Sequence, residues 1–304
     1  MGTTPVKKRL ASAALLVAAA AGCRAPGPAP IRVGSKNFTE QVVLGELAAR
    51  ALEAEGLKVE RKLDLGGTFL CQRALVAGEL DLYPEYTGTA FAAILKEKPV
   101  SDAARVRARV TDEYARRWRL VWAPPLGFEN TFALVMRGDD ARRLGVAKIS
   151  DLDAHPELRP GFGYEFLERA DGYAGLSAAY GLAFRTRPAQ MDLGLLYSAL
   201  AQGKVDVVAG NSTDGPIATM GLSVLEDDRH YFPPYEAAFV VRDPVWRDAR
   251  VRRALERLSG AIDAATMRAM NAAVDGGGRR PQDVAAEFLS RRAVPSVTSS
   301  PVPR

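Results

Sequence analysis

Histidine and cysteine are scarce in this sequence, with two of each among 304 residues. His155 and His230 lie about 75 residues apart, and neither belongs to a metal-binding motif. No Gly-x-Ser-x-Gly stretch presents a serine nucleophile. The glycine run 276–278 lies between predicted helices with no strand before it, so it does not suit a phosphate cradle. These gaps argue against an enzyme and against a metal or nucleotide cofactor.

Long apolar runs are also missing. The most apolar stretch, residues 10–21, follows a basic segment and is too short to span a bilayer. It leads into Ala-Ala-Gly-Cys ending at Cys23, which resembles the lipobox of bacterial lipoproteins. We expect residues 1–22 to be a lipoprotein signal peptide, Cys23 to be the lipidated residue and residues 23–30 to be a linker. An ordinary signal peptide with a coincidental cysteine is the alternative. Either leader predicts export to the periplasm or another extracytoplasmic site, and lipidation adds an anchor to the cell membrane.

Composition is that of a globular protein, with 47% hydrophobic and 25% charged residues. The net charge of +5 includes three basic residues of the leader. The arginine-rich stretches 105–119 and 247–257 are spaced like solvated helix faces and are not interleaved with aromatics, so they do not predict nucleic-acid binding. With Cys23 lipidated, Cys71 has no partner for an intramolecular disulfide.

The stretch 78–89 reads Gly-Glu-Leu-Asp-Leu-Tyr-Pro-Glu-Tyr-Thr-Gly-Thr. Its first glycine is typical of a helix end, residues 80–82 alternate like a short strand, and Pro84 predicts a break into a polar loop. A strand that ends in aromatic and hydroxyl groups is typical of the edge of a small-molecule cleft. A surface turn over packed tyrosines is the alternative.

A second copy of this pattern occurs later in the chain. Residues 74–82 match residues 199–207 in type, and each copy precedes a polar loop, at 86–89 and at 211–215. The copies lie about 125 residues apart, which is too long for a solenoid repeat. The spacing predicts two similar α/β lobes facing each other across a cleft, with chance resemblance as the alternative.

The mature chain opens with a short predicted strand at Ile31, followed by a loop and a helical stripe of apolar residues over 43–52. Thr39 is the predicted N-cap of that helix. Lys36 lies in the loop before it, where a cation beside free backbone N–H groups makes a good anion site. A solvated surface lysine is the alternative.

Seven stretches of the chain, in collinear order, resemble one family: the substrate-binding proteins of osmoprotectant ABC importers, which bind glycine betaine, carnitine, choline or proline betaine. The resemblance covers roughly residues 31–289. The stretches are 35–41, 66–68, 83–89, 130–134, 169–173, 212–215 and 232–235.

The resemblance implies a two-lobed periplasmic-binding-protein fold of type II, with two α/β lobes, a two-strand hinge and a ligand cleft between the lobes. Crossings between lobes are expected near 127–130 and 230–232, and Pro124-Pro125 and Pro233-Pro234 flank them. The expected division is lobe one at 31–128 plus 232–291, lobe two at 129–231 and a disordered tail at 292–304.

The resemblance also implies the binding residues. A quaternary ammonium has no N–H to donate and is held by aromatic faces, whereas its carboxylate needs cationic and hydroxyl donors. By this resemblance, Lys36, Thr89 and Arg169 are expected to bind the carboxylate of the ligand. The positions expected to be aromatic are Tyr86, Phe132, residue 211 and Tyr235. Asn130 and Thr213 complete the predicted ligand-binding set.

This sequence departs from the family pattern at the predicted site. Asn211 stands where a cage tyrosine is expected, and Phe132 lacks a phenol oxygen. Glu129 and Glu236 add carboxylates beside two binding loops. An asparagine can hydrogen-bond a polar ligand, so the departures leave open a different polar or zwitterionic solute.

The expected function is that of an extracytoplasmic receptor that captures a quaternary-ammonium solute and hands it to the permease of an ABC importer. ATP hydrolysis would take place in the partner subunits, so no cofactor is expected in this chain. A receptor of the same fold that binds an amino-acid-like solute, or one that acts as a ligand sensor, is the alternative.

Overall fold

The computed structural model describes residues 1–2, 29–98 and 100–293. The predicted signal peptide from residue 3, the lipidation site Cys23 and most of the linker lie outside these residues, as does the predicted tail from 294. The tail prediction was wrong at its start, because Arg292 and Ala293 form the end of the last helix. In the described part of the chain, every helix is too short or too polar to cross a membrane.

Ten strands and thirteen α-helices make up the described chain, together with a π-helical segment at Ala90–Ile94 and a 3₁₀ segment at Ile149–Ala154. The strands are β1 (Ile31–Gly34), β2 (Val59–Lys62), β3 (Leu82–Tyr86), β4 (Leu120–Trp122), β5 (Phe132–Arg137), β6 (Pro160–Phe162), β7 (Ala189–Gln190), β8 (Val207–Asn211), β9 (Leu222–Val224) and β10 (Ala237–Arg242). The helices are α1 (Thr39–Ala54), α2 (Thr68–Ala77), α3 (Thr87–Thr89), α4 (Ala103–Trp118), α5 (Gly138–Leu144), α6 (Tyr164–Glu168), α7 (Tyr173–Tyr180), α8 (Leu193–Ala201), α9 (Gly215–Thr219), α10 (Asp243–Trp246), α11 (Ala249–Glu256), α12 (Ala264–Asp275) and α13 (Pro281–Ala293).

The strands form two separate five-stranded sheets, and each sheet is the centre of one lobe. Lobe one contains the sheet β2-β1-β3-β10-β4, and lobe two contains the sheet β7-β6-β8-β5-β9. Both sheets are mixed, since β10 runs antiparallel to β3 and β5 runs antiparallel to β8. The two-lobed α/β fold predicted from the sequence is confirmed.

The chain passes between the two sheets twice, once between β4 and β5 and once between β9 and β10. An antiparallel bridge between Glu129 and Glu236 places these two connections side by side. The C-terminal helices α11, α12 and α13 pack against α1 of lobe one, and α12 also packs against α9 of lobe two. The domain boundaries at 128/129 and 231/232 stay a prediction.

The internal repeat found in the sequence is a repeat of structure. Helix α2 ends at Gly78, which has φ +76°, and helix α8 is followed by Gly203 with φ +66°. Glycine is favoured at both positions because a left-handed backbone carries no Cβ penalty there. Each glycine leads into a central strand, β3 or β8, that pairs antiparallel with the first strand after a lobe crossing, β10 or β5.

Pro84 does not end a strand, so the predicted break there was wrong. Strand β3 runs from Leu82 through Pro84 to Tyr86, and the next residues form α3. The register pairs β3 with β1 only at Leu82, and beyond it with β10 alone. A proline is tolerated where one side of a strand is unpaired, because no inter-strand hydrogen bond is lost when the missing N–H would face that side.

The predicted helix cap at Thr39 was also wrong by one residue. Phe38 occupies the N-cap position of α1, with no side-chain capping bond. The Thr39 hydroxyl instead donates to Asp275 of α12. The Thr39 hydroxyl therefore makes a tertiary contact with a C-terminal helix and does not cap α1.

Candidate ligand-binding site

A small cavity lies between the two lobes at the ends of the central strands. Its volume is about 60 Å³. The lining residues are Lys36, Phe38, Tyr86, Thr89, Asn130, Phe132, Glu165, Phe166, Arg169, Leu193, Ala209, Gly210, Asn211 and Tyr235.

Eight of the nine ligand-binding residues predicted from the sequence line this cavity. They come from stretches as distant in sequence as Lys36 and Tyr235, which the fold brings together. The ninth, Thr213, does not line it. Its side chain is buried and its hydroxyl donates to Glu40 Oε2 at 2.5 Å. Thr213 therefore lies behind the cavity wall.

Lys36 supplies a buried cation on the lobe-one side. Its side chain is 3% exposed, and Nζ lies 2.5 Å from Glu85 Oε1 and 5.1 Å from the centre of the Tyr86 ring. Glu85 also accepts hydrogen bonds from the Tyr83 hydroxyl and the Tyr86 backbone N–H. An ammonium has three N–H donors, so one bond to Glu85 leaves donors for an anionic group in the cavity.

Arg169 supplies the second cation, from lobe two. Its Nε and Nη2 donate to the two oxygens of Asp171 at 2.8 and 2.5 Å, and Nη2 also donates to the Thr89 hydroxyl of lobe one at 3.3 Å. The Tyr235 hydroxyl donates to the same carboxylate at 2.5 Å. Burial alone would lower the pKa of Arg169, but the Asp171 charge raises it overall. The guanidinium is therefore a permanent cation whose orientation is fixed on two sides.

Five aromatic residues contribute to the remaining wall. Phe132 contacts Phe166 and Tyr235 edge-on, with ring centres 4.9 and 6.0 Å apart. Phe38 stacks on Tyr86 at 6.5 Å. Burial raises the pKa of both Tyr86 and Tyr235 well above the usual value, so both phenols stay neutral. These rings offer a desolvated surface of the kind that quaternary ammonium groups bind.

The tight approach of Tyr235 depends on a glycine opposite it. A Cβ at Gly88 would lie 2.6 Å from the Tyr235 ring and 2.7 Å from the Pro234 carbonyl oxygen. Only glycine fits there, which accounts for the glycine in the Tyr-Thr-Gly-Thr stretch after β3.

Asn211 ends the central strand of lobe two, as Tyr86 ends the central strand of lobe one. In the strand register, Asn211 pairs with Phe132 and Tyr86 pairs with Ala237. The Asn211 amide donates to Asp214 Oδ1 at 3.2 Å and its backbone N–H donates to Asp214 Oδ2 at 2.8 Å. The Tyr197 hydroxyl donates to Asp214 as well, at 2.6 Å. At this position the cavity wall is therefore a polar amide with a carboxylate behind it instead of a ring.

Glu40 links both lobes behind the cavity. This buried carboxylate accepts hydrogen bonds from Tyr86 at 2.6 Å, Asn130 at 2.8 Å, Thr213 at 2.5 Å and Asn271 at 3.1 Å. Burial raises the pKa of Glu40, while these four donors act in the opposite direction. The group holds two cavity residues, Tyr86 and Asn130, in place.

Sequence reasoning missed several residues of the wall. Phe166 and Glu165 lie on the short helix α6, and Leu193 begins α8. Glu165 also joins the lobes, since its carboxylate accepts from the backbone N–H and the hydroxyl of Thr68. The only sequence signal for α6 is its position just before the Arg-Ala-Asp-Gly-Tyr stretch, which is too weak to assign these side chains to a site.

Comparison with known proteins identifies the family. A family model described as the substrate binding domain of ABC-type glycine betaine transport systems matches residues 29–291. The chain belongs to this family. As a member of this family, the chain is an extracytoplasmic component of an ABC transport system that works with a permease, as the sequence predicted.

Individual relatives agree with the family match. A glycine-betaine-binding protein of Pseudomonas aeruginosa is 38% identical over 90% of this chain and 92% of that protein. The carnitine transport binding protein OpuCC of Listeria monocytogenes is 33% identical over 86% of each chain. A crystal structure of a glycine betaine/carnitine/choline ABC transporter protein superposes with a TM-score of 0.72 at 30% identity, covering 86% of this chain and 98% of that one.

Proposed function

We propose that this substrate-binding protein captures a zwitterionic quaternary-ammonium solute, of the glycine betaine or carnitine type, and delivers it to its permease. One observation carries the proposal: Lys36 of lobe one and Arg169 of lobe two, both 3% exposed, line one small cavity that five aromatic residues also line. A carboxylate and a quaternary ammonium on one compact molecule match these two kinds of wall.

The carboxylate would be held by donors that the protein's own contacts leave available. In the described part of the chain, Arg169 uses Nε and Nη2 for its hydrogen bonds, and Nη1 is 3.9 Å from the nearest carboxylate oxygen. Lys36 uses one donor on Glu85. A ligand carboxylate between the two cations would gain charge-assisted hydrogen bonds from both lobes, with the Thr89 hydroxyl as a further donor.

Binding in this position favours the closed arrangement of the lobes. The solute bridges a cation from each lobe, so it binds the closed form more tightly than an open one and shifts the population toward it. The Arg169–Thr89 and Glu165–Thr68 hydrogen bonds already cross the same interface. The closed form is the one we expect the permease to recognise.

The proposal includes the finer assignments that the sequence suggested. The protein binds and releases its solute without chemical change, and Cys23 carries the lipid that anchors the mature chain to the cell membrane. Within the binding set, Lys36, Thr89 and Arg169 hold the carboxylate, and Tyr86, Phe132 and Tyr235 face the ammonium, with Asn130 and Asn211 as polar wall. Thr213 contributes through Glu40.

The test is isothermal calorimetry on residues 24–304 with glycine betaine, carnitine, choline, proline betaine and a set of amino acids. We expect saturable binding of glycine betaine or carnitine, and its loss in Arg169→Ala. Thermal unfolding of the variant checks that it folds. Binding of an amino acid, with no response to any quaternary ammonium, would establish the second candidate, a receptor for another polar solute, which the Asn211–Asp214 pair favours.

A further inference from the structure

A second cavity lies beside the first. Its volume is about 470 Å³, and four residues line both cavities: Phe38, Leu193, Gly210 and Asn211. We call it the side crevice and define it by its polar wall of Glu40, Asp214, Asn271 and Asp275. It lies where α1, α8, α9 and α12 meet, at the interface of the two lobes.

The side crevice carries an excess of negative charge. Glu40, Asp214 and Asp275 line it together with Asp64, and no lysine or arginine of the described chain does. Within residues 29–98 and 100–293, none of the first three carboxylates lies within 4.0 Å of a cationic nitrogen. The side chains that donate hydrogen bonds to these carboxylates are all neutral. Glu40 accepts from Tyr86, Asn130, Thr213 and Asn271. Asp214 accepts from Tyr197 and Asn211, and Asp275 accepts from Thr39.

Burial raises the pKa of Glu40 and of Asp214, and the Asp275 charge raises that of Asp214 further. A cation in the crevice would relieve this cost, because an opposite charge favours the ionised form of a carboxylate.

A buried acceptor in the crevice wall points independently to a ligand with a donor. Asn271 is 1% exposed, and its amide N donates to Glu40 Oε2 at 3.1 Å and to the Thr213 carbonyl oxygen at 2.8 Å. Both partners accept hydrogen bonds, which fixes the orientation of the amide. In the described part of the chain Asn271 Oδ1 then has no donor, and an unmet buried acceptor costs about 1–3 kcal/mol.

We propose that the side crevice is a second subsite of the ligand site, which binds an ammonium group on the side arm of a larger betaine. The proposal rests on the proposed function, since the betaine head occupies the first cavity. Asn211 lines both cavities, and we expect the arm to pass beside its short side chain. The preferred solute class is therefore a betaine of a basic amino acid.

The test compares lysine betaine with the betaine of 2-aminoheptanoic acid, in which a methyl group replaces the ammonium. Because hydrogen bonds to charged groups contribute about 1.5–3 kcal/mol, we expect lysine betaine to bind at least roughly tenfold more tightly than its isostere. Ornithine betaine and its own methyl isostere extend the comparison to a shorter arm.

Two variants assign the effect to the crevice. The ratio of the two affinities should fall toward one in Asp275→Asn and stay unchanged in Asp283→Asn, an exposed carboxylate paired with Arg280 outside the crevice. Equal affinity of each ammonium arm and its isostere would overturn the subsite while leaving glycine betaine binding intact. Failure of every betaine, glycine betaine included, would instead overturn the proposed function.

Discussion

Asp81 and Asp206 hold the same position in the two lobes. Asp81 accepts hydrogen bonds from the backbone N–H of Arg32 at 2.9 Å and from its Nε at 3.0 Å. Asp206 accepts the same two bonds from Arg159, at 3.0 and 2.8 Å. A second arginine completes each cluster, Arg242 at 3.2 Å and Arg137 at 2.7 Å. Each aspartate thus ties the start of one strand to the turn before the central strand.

The Asp206 cluster predicts a pH dependence of stability. Burial alone would raise the pKa of Asp206, but hydrogen bonds from Arg159 and Arg137 lower it to about 2. Because the folded pKa lies below the unfolded value, the ionised group stabilises the fold above that unfolded value, near 3.9. This contribution is lost as the pH falls toward 2.

Asp206→Asn should therefore remove part of the acid sensitivity. We expect the free energy of unfolding to fall less between about pH 5 and pH 2.5 in the variant, by on the order of 1 kcal/mol after allowance for solvent screening. Urea unfolding at both pH values measures it. Asp192→Asn, at an exposed helix start without a capping bond, is the control, and an equal slope in both variants would contradict the prediction.

The ring of Tyr235 should matter more for binding than its hydroxyl. Tyr235→Phe keeps the aromatic face and leaves Asp171 with its two bonds from Arg169. Tyr235→Leu removes the face, and cation–π contacts contribute about 0.5–2 kcal/mol, which corresponds to roughly 2- to 30-fold in affinity. Calorimetry with glycine betaine should rank the leucine variant weakest. A phenylalanine variant as weak as the leucine variant would show that the hydroxyl decides binding.

Gly215 should control lobe closure from outside the cavity. A Cβ at this position would lie 2.8 Å from backbone atoms of Ala272, where α9 of lobe two meets α12. Overpacking of this kind costs about 1–3 kcal/mol, so Gly215→Ala should weaken glycine betaine binding by roughly five- to 150-fold. Small-angle scattering with saturating ligand should show a less compact complex.

Gly194→Ala is the matched control for that change, because a Cβ there meets no atom within 4 Å. We expect it to retain wild-type affinity for glycine betaine and the wild-type radius of gyration. If Gly215→Ala behaved in the same way, the α9–α12 contact would not limit closure.

Glu40→Gln should destabilise the fold although it is nearly isosteric. The carboxylate accepts from four donors, whereas a glutamine amide presents N–H groups to some of them. Each unsatisfied buried group costs about 1–3 kcal/mol, so we expect a loss in that range. Chemical unfolding measures it against Glu79→Gln at an exposed position. A variant as stable as wild type would show that the four hydrogen bonds contribute little.

Local patterns predicted two similar α/β lobes, and the resemblance to the family supplied eight of the residues that line the cavity. The repeated helix-Gly-strand unit marks the two central strands, and the loops after them carry Tyr86, Thr89 and Asn211. The side chains that the sequence did not reveal depend on tertiary packing. Glu40 lies in the first turn of α1 and looks like an ordinary first-turn carboxylate, yet its partners lie as far along the chain as Asn271.

The strand position of Pro84 and the cavity position of Phe166 could not be predicted from the sequence either. Proline usually ends a strand because it cannot donate a ladder hydrogen bond. At Pro84 the strand pairs on one side only, so no hydrogen bond is lost, and the pairing strand β10 comes from far along the chain. Phe166 reaches the cavity because packing within lobe two places α6 beside Phe132. Neither relationship has a signature within a short window of sequence.

A crystal structure of the mature protein with glycine betaine is the most direct test of the proposed binding site. We predict that the carboxylate lies between Lys36 and Arg169 in the cavity between the lobes, and that the trimethylammonium group lies against the rings of Phe132 and Tyr235. A ligand bound with its carboxylate away from both cations, or bound outside this cavity, would contradict it.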